Sequence, residues 1–158
     1  MTGRVIHALA GAVLMTMPVA AQAQSVTATD PEAIAAILRA EGYKAELTKD
    51  GSGDPMIRSA SSGTNFTLFF YNCTSNRNCT TLQYYAGFDV DKGSDLATIN
   101  KWNSTKRFGR AYLDDEKDPR LEMDVNLDEG GVARGNFVDN LKVWLDLLDA
   151  FKTHIGWD

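Results

Sequence analysis

The stretch Thr64-Asn65-Phe66-Thr67-Leu68-Phe69-Phe70-Tyr71-Asn72 decides the fold. Phe66, Leu68 and Phe70 alternate with Thr67, Phe69 and Tyr71, which is the period-two pattern of a strand, and the aromatic content suits a pleated surface. Both sets are largely apolar or aromatic, so neither face of this strand reads as plainly wet. Downstream, Thr80 to Phe88 repeats the pattern, with Leu82, Tyr84 and Ala86 on one side and Gln83 and Tyr85 on the other. Upstream, Tyr43 to Thr48 and Met56 to Ala60 read as shorter strands. The turn residues of Lys49-Asp50-Gly51-Ser52-Gly53-Asp54-Pro55 separate them, and Ser61-Ser62-Gly63 follows the second. Four strands joined by short turns predict an antiparallel meander.

Helices flank this meander. Asp30 offers an N-cap, Pro31 suits the first helical position, and Ile34, Ile37 and Leu38 form a stripe over 31–41 that ends at Gly42. Ser94 or Asp95 caps a second helix over 95–107, with Leu96, Ile99 and Trp102 on one face. Arg110 to Asp114 and Leu121 to Leu127 read as a further hairpin. In the latter, Leu121, Met123, Val125 and Leu127 alternate with Glu122, Asp124, Asn126 and Asp128, predicting one buried and one wet face. The last helix spans Asn136 to Thr153. Its apolar arc of Phe137, Leu141, Trp144, Leu145 and Leu148, widened by Val143, Leu147 and Phe151, is broad enough for a second contact, and packing within the chain is favoured over another chain. Gln24 to Thr29 reads as a loose polar segment. The expected class is α+β, an antiparallel sheet of a meander plus a second hairpin, packed by three helices.

Composition narrows the functional classes. The chain of 158 residues is 44% hydrophobic and 23% charged, with 13 Gly and 4 Pro, which suits one globular domain and excludes collagen-like and disordered classes. A net charge of −5 gives no global positive field for nucleic acid. Arg4, the apolar run Val5 to Met17 and the small-x-small site Ala21-Gln22-Ala23 read as a secretory signal peptide over residues 1–23. The run is shorter than the ~20 residues a membrane-spanning helix needs. One domain over 24–158 is then expected, periplasmic or secreted, with no membrane span after cleavage and a net charge of −6 once Arg4 is lost. In such a compartment Cys73 and Cys79, either side of a polar turn, are expected to form a hairpin disulfide. A redox role is disfavoured, because five intervening residues are not a Cys-x-x-Cys arrangement.

Catalytic signatures are sparse. His154 is the one histidine left after the leader, and it lies near the end of the last helix. With both cysteines oxidised no Cys-His dyad is available, and no Gly-rich phosphate loop occurs. Segment 114–129 carries eight acids, Asp114, Asp115, Glu116, Asp118, Glu122, Asp124, Asp128 and Glu129, against Lys117 and Arg120. Asp124-Val125-Asn126-Leu127-Asp128 matches the opening of a calcium loop, but Glu129 stands where Gly is required and Gly135 where a bidentate Glu is required. These acids therefore read as charges on an exposed strand face that discourage edge pairing. No catalytic residue, metal or cofactor is expected. Four Asn-x-Thr sequons, at Asn65, Asn72, Asn78 and Asn103, read as chance in a Thr- and Asn-rich chain.

The aromatic pattern is more informative. If Phe66, Leu68 and Phe70 pack under the helices, Phe69, Tyr71 and Tyr85 point to the opposite face, which no predicted element obviously covers. That face is either a docking surface or is covered by a terminal helix or a second copy.

Phe69-Phe70-Tyr71-Asn72-Cys73, Leu82-Gln83-Tyr84-Tyr85-Ala86-Gly87-Phe88, Ile99-Asn100-Lys101-Trp102-Asn103 and Arg107-Phe108-Gly109-Arg110-Ala111-Tyr112-Leu113-Asp114, with the alternating strand Leu121 to Leu127, resemble the YbjN family of bacterial sensory transduction regulators. The resemblance rests mainly on the Asn-x-Trp-Asn helix followed by the Arg-Phe-Gly strand. It implies an α+β fold similar to type III secretion chaperones, a non-catalytic protein-binding module that is commonly dimeric. The strand pattern has one more hairpin strand before the second helix than those chaperones have. It also implies structural roles for Asn100, Trp102, Asn103, Phe108 and Gly109, with Asn100 and Asn103, one turn apart, capping or bridging backbone groups between helix and sheet. The expected function is that of an exported protein- or peptide-binding module, chaperone-like or regulatory, with Phe69, Tyr71 and Tyr85 as the candidate partner-binding residues. The alternatives are a small-ligand-binding protein or a hydrolase using carboxylates, and a structural envelope component.

Overall fold

The structure, a computed structural model, describes residues 25–157. The expected leader, residues 1–23, lies outside the described residues. In chain order the elements are β1 (Ser25–Val26), α1 (Pro31–Ala40), β2 (Glu46–Lys49), β3 (Pro55–Ser61), β4 (Thr64–Tyr71), β5 (Thr81–Gly87), α2 (Leu96–Thr105), β6 (Arg110–Leu113), β7 (Pro119–Asn126), β8 (Val132–Ala133) and α3 (Arg134–Ile155). Strands β2 to β7 form one antiparallel sheet in the order β2-β3-β4-β5-β7-β6, and β1 pairs with β8 in a separate ribbon. The α+β class and the meander are as the sequence implies.

Local chemistry sets the helix ends. Asp30 Oδ1 accepts from the Ala33 N–H at 3.0 Å ahead of Pro31, and Asp95 Oδ1 accepts from the Thr98 N–H at 2.7 Å, so both N-termini have one otherwise orphaned donor satisfied. That bond from Thr98 also lowers the Asp95 pKa, by favouring the carboxylate. All three helices share one core with a single face of the sheet: Ile34, Leu38, Ile99, Trp102, Phe137 and Trp144 pack with Ile57, Phe66, Leu68, Tyr84 and Leu121. Trp144 stacks on Tyr84 at 5.5 Å and Phe151 meets Trp102 edge-on at 4.8 Å. The broad arc of α3 is thus used within the chain, against β7, α2 and the β1–β8 ribbon. His154 joins two helices, its Nε2–H donating to the Thr98 carbonyl at 2.8 Å.

Three expectations change, and the expected disulfide forms. Gln24 to Thr29 is not loose: Ser25 and Val26 pair with Ala133 and Val132, and Val26 and Ala28 are buried. This pairing depends on Gly131, with φ +77° and a position where a Cβ would lie 2.1 Å from the Val26 carbonyl oxygen. Tyr43 to Ala45 does not join β2, because its backbone is engaged elsewhere. The Tyr43 N–H donates to Leu38 O, Ser59 Oγ to Lys44 O, and Arg39 to Ala45 O. Third, β7 is an interior strand between β5 and β6, so its acids guard no edge; the edges are the four-residue strands β2 and β6. Last, Cys73 and Cys79 form a disulfide, with Cα atoms 3.8 Å apart, but just beyond the final ladder pair Tyr71–Thr81. Asn72 and Asn78 adopt left-handed backbone at φ +54° and +52°, which ends both strands. A Ser75-Asn76 turn, also left-handed, closes the tip through paired bonds between Thr74 and Arg77 at 2.7 and 3.2 Å.

Candidate functional site

Strand register builds the second face of the sheet. Across β4, β5 and β7, Phe69 stands opposite Gln83 and Gln83 opposite Asp124. Thr67, Tyr85, Glu122 and Arg110 make the next row through β6. Tyr71 begins a third row with Thr81 and Asn126, while Gly87, Arg120 and Tyr112 make a fourth. All three helices lie against the other side, so among the described residues no element crosses this face.

Phe69, Tyr71 and Tyr85 come together here. Phe69 and Tyr85 meet edge-on at 5.6 Å, and Tyr71 lies 6.3 Å from Phe69. Mutual packing leaves Phe69 and Tyr85 half-buried, whereas Tyr71 is 41% exposed.

A polar network that the sequence did not reveal runs alongside the rings. Glu122 is only 5% exposed although, among the described residues, no helix stands over it; it departs from the wet face expected of β7, on which Asp124 and Asn126 are exposed as expected. Tyr112 Oη donates to its Oε1 at 2.8 Å, Arg110 forms an ion pair with its Oε2, and the Gln83 amide donates to the same Oε2 at 3.4 Å. Gln83 also donates to Asp124 Oδ1 at 2.9 Å and accepts from Tyr71 Oη at 3.4 Å. A buried carboxylate is tolerable only with such a set of donors. Burial, followed by the hydrogen bond to Glu122, pushes the Tyr112 phenol up to about 12. Burial and the charges of Glu122, Asp124 and Asp50 raise that of Tyr71. No local pattern marks Glu122, because its neighbours arrive from β5 and β6, and β5 pairs with β7 only across the intervening α2.

The other singled-out residues divide between interior and surface. Trp102 is fully buried between α2 and α3. The Asn103 amide grips the edge strand β6: its Nδ2 donates to Ala111 O at 3.0 Å and its Oδ1 accepts from the Ala111 N–H at 2.9 Å. Gly109, with φ +72°, carries its α-carbon so close to α3 and β7 that a Cβ would lie 3.1 Å from Leu147 Cδ1 and 3.4 Å from Glu122 O. Asn100 is exposed and its amide makes no hydrogen bond among the described residues, so the bridge is made by Asn103. Phe108 is 54% exposed.

Two acids of the segment, Asp114 and Asp118, build turns. Asp114 Oδ1 accepts from the N–H groups of Glu116 and Asp118 at 3.0 and 2.9 Å, while its Oδ2 accepts from Arg120 Nε at 3.0 Å. These bonds, that of Asp118 foremost, hold its pKa below the usual carboxylate range. Asp118 accepts from the Val90 N–H at 3.1 Å and ties the loop after β5 to the β6–β7 turn. Among the described residues no group of three or more His, Cys, Asp or Glu side chains could hold a metal ion, and no helix is long and apolar enough to cross a membrane. The cavities described border the face or lie away from it. One of about 310 Å³ lies between β1 and α1, lined by Val26, Ala33, Ile37 and Arg134, and another of about 340 Å³ lies at the β2–β4 end of the sheet.

These features define an α+β protein with a single six-stranded sheet, sheathed by helices on one side and presenting an aromatic and carboxylate-bearing surface on the other. The chain matches the YbjN family model, described as "Putative bacterial sensory transduction regulator", over residues 30–157, and belongs to that family. No curated protein and no solved structure matches it.

Proposed function

We propose that this protein is an exported, non-catalytic binding module that holds a polypeptide partner on the outer face of its sheet, in a chaperone-like or regulatory role. The observation that carries the reading is the cluster of Phe69, Tyr71 and Tyr85 on a face that no described element covers. Aromatic rings on a firm scaffold supply affinity at low entropic cost, and the Glu122 network fixes the strands beneath them. The leader pattern and the Cys73–Cys79 disulfide support export. A non-catalytic role is supported by the sparse catalytic signatures of the sequence, one histidine beyond the expected leader and no Gly-rich phosphate loop.

The test is capture from an extract of the native host by the immobilised protein, compared with Phe69→Ser/Tyr85→Ser and with Tyr71→Ser. Thermal unfolding is recorded for each variant. A protein retained by the wild type and lost with Tyr71→Ser, a change at an exposed position that leaves the fold in place, is the expected result. Identical retained sets for the wild type and all folded variants would overturn the sheet-face reading.

A further inference from the structure

The geometry points to a Lys- or Arg-bearing extended polypeptide as the occupant of this face, with its cation on Asp124 and its apolar side chains against Phe69, Tyr71 and Tyr85. This rests on the reading above and adds the partner's chemistry.

Charge is the first ground. Two of the three arginines of the face are held in ion pairs, Arg110 with Glu122 and Arg120 with Asp114 and Asp118, and the third, Arg58, lies on β3 across from Glu46, three strands from Asp124. Asp124 is exposed and, among the described residues, has no cation; it accepts only the Gln83 amide at 2.9 Å. An incoming ammonium or guanidinium would satisfy it without breaking an existing ion pair. At the Tyr71 ring the negative charges prevail, since Glu122, Asp124 and Asp50 raise its pKa against the opposing charge of Arg110.

Ring geometry is the second. Phe69 and Tyr85 are inclined at 72°, and Phe69 and Tyr71 at 35°, so adjacent rings offer no coplanar platform for stacking sugar rings. Inclined rings do accept an alkyl stem along one face and a cation over another. Reach is the third. Phe69 and Asp124 lie in one row two strands apart, ~10 Å at the usual strand spacing; same-side residues two positions apart on an extended chain are ~7 Å apart along its backbone, and the long stem of a lysine or arginine spans the remaining ~3 Å.

The experiment is a titration of the isotopically labelled protein, followed through backbone amide shifts, with the peptides Lys-Phe-Lys-Leu-Lys and Glu-Phe-Glu-Leu-Glu and with a chitin oligosaccharide. The expected result is saturable shifts at Phe69, Tyr71, Gln83, Tyr85 and Asp124 with the lysine peptide alone, weakened about fivefold by Asp124→Asn and by raising the salt. Asp124→Asn is isosteric and exposed, so the fold is retained. Equal binding of the glutamate peptide, or no effect of Asp124→Asn, would overturn the charge inference and leave the docking face standing. Absence of shifts on this face with either peptide would overturn both, as would shifts there caused by the sugar alone or by raising the protein concentration alone.

Discussion

Asn103→Ala isolates the contact that fastens α2 to the sheet. The Asn103 amide makes two hydrogen bonds to Ala111, at 3.0 and 2.9 Å, and Ala111 is 6% exposed on an edge strand with no further strand beyond it. At ~0.5–1.5 kcal/mol each, the two bonds contribute ~1–3 kcal/mol. Alanine returns ~0.6 kcal/mol through its higher helix propensity, and the exposed position of Asn103 lets water reach part of what is lost. The net loss is therefore about 1 kcal/mol. Asn103→Asp is the sharper probe: it keeps an acceptor for the Ala111 N–H but turns an oxygen toward the Ala111 carbonyl. Its loss at neutral pH exceeds that of the alanine variant. The protonated acid can donate to that carbonyl, so the variant carboxyl has a higher pKa folded than unfolded. Its deficit is therefore smallest in acid and grows as pH rises through the folded pKa. Urea unfolding followed by tryptophan fluorescence reads these differences, with Trp102 and Trp144 both fully buried reporters. An alanine variant within about 0.3 kcal/mol of wild type, or an aspartate variant that tracks alanine at every pH, would refute the bridge.

Gly109→Ala meets both a left-handed φ of +72° and close atoms of Leu147 and Glu122, whereas Gly130→Ala meets a φ of +91° and open space. A loss of ~2–3 kcal/mol is expected for the first and ~1 kcal/mol for the second in the same denaturation assay. Equal losses would remove packing from the account of Gly109. The Tyr112 phenol, raised to about 12 when folded against an ordinary value of 10.0, favours the folded state below pH 10, and that contribution is lost as pH rises through 12. Tyr112→Phe should accordingly show a shallower fall in stability between pH 10 and 12 than wild type. A fall of the same slope in both would show that the Glu122 bond does not couple Tyr112 to folding.

Much of the fold is legible in the chain because it is written in neighbours. The alternation from Thr64 to Tyr71 specifies a strand with two apolar faces, and Asp30-Pro31 and Asp95 specify where helices begin through side chains that reach backbone groups three residues on. Phe69, Tyr71 and Tyr85 are separable from the core set by the same period of two, and register places them on the side away from the helices. The acids of 114–129 are less legible. Alternation marks Glu122 as wet, yet Tyr112, Arg110 and Gln83 enclose it from strands that are distant in sequence.

The chain by itself determined the three helices, the longer strands of the sheet and which of their side chains share a face, since dihedral preference, capping and alternation act over a few residues. Only the tertiary structure decided that β7 inserts between β5 and β6, that Ser25 and Val26 find Val132 and Ala133, and that Asp124 has no cation among the described residues. Those outcomes depend on pairings across long stretches of chain. Shared burial of the whole sheet against three helices selects among the many registers that local sequence allows.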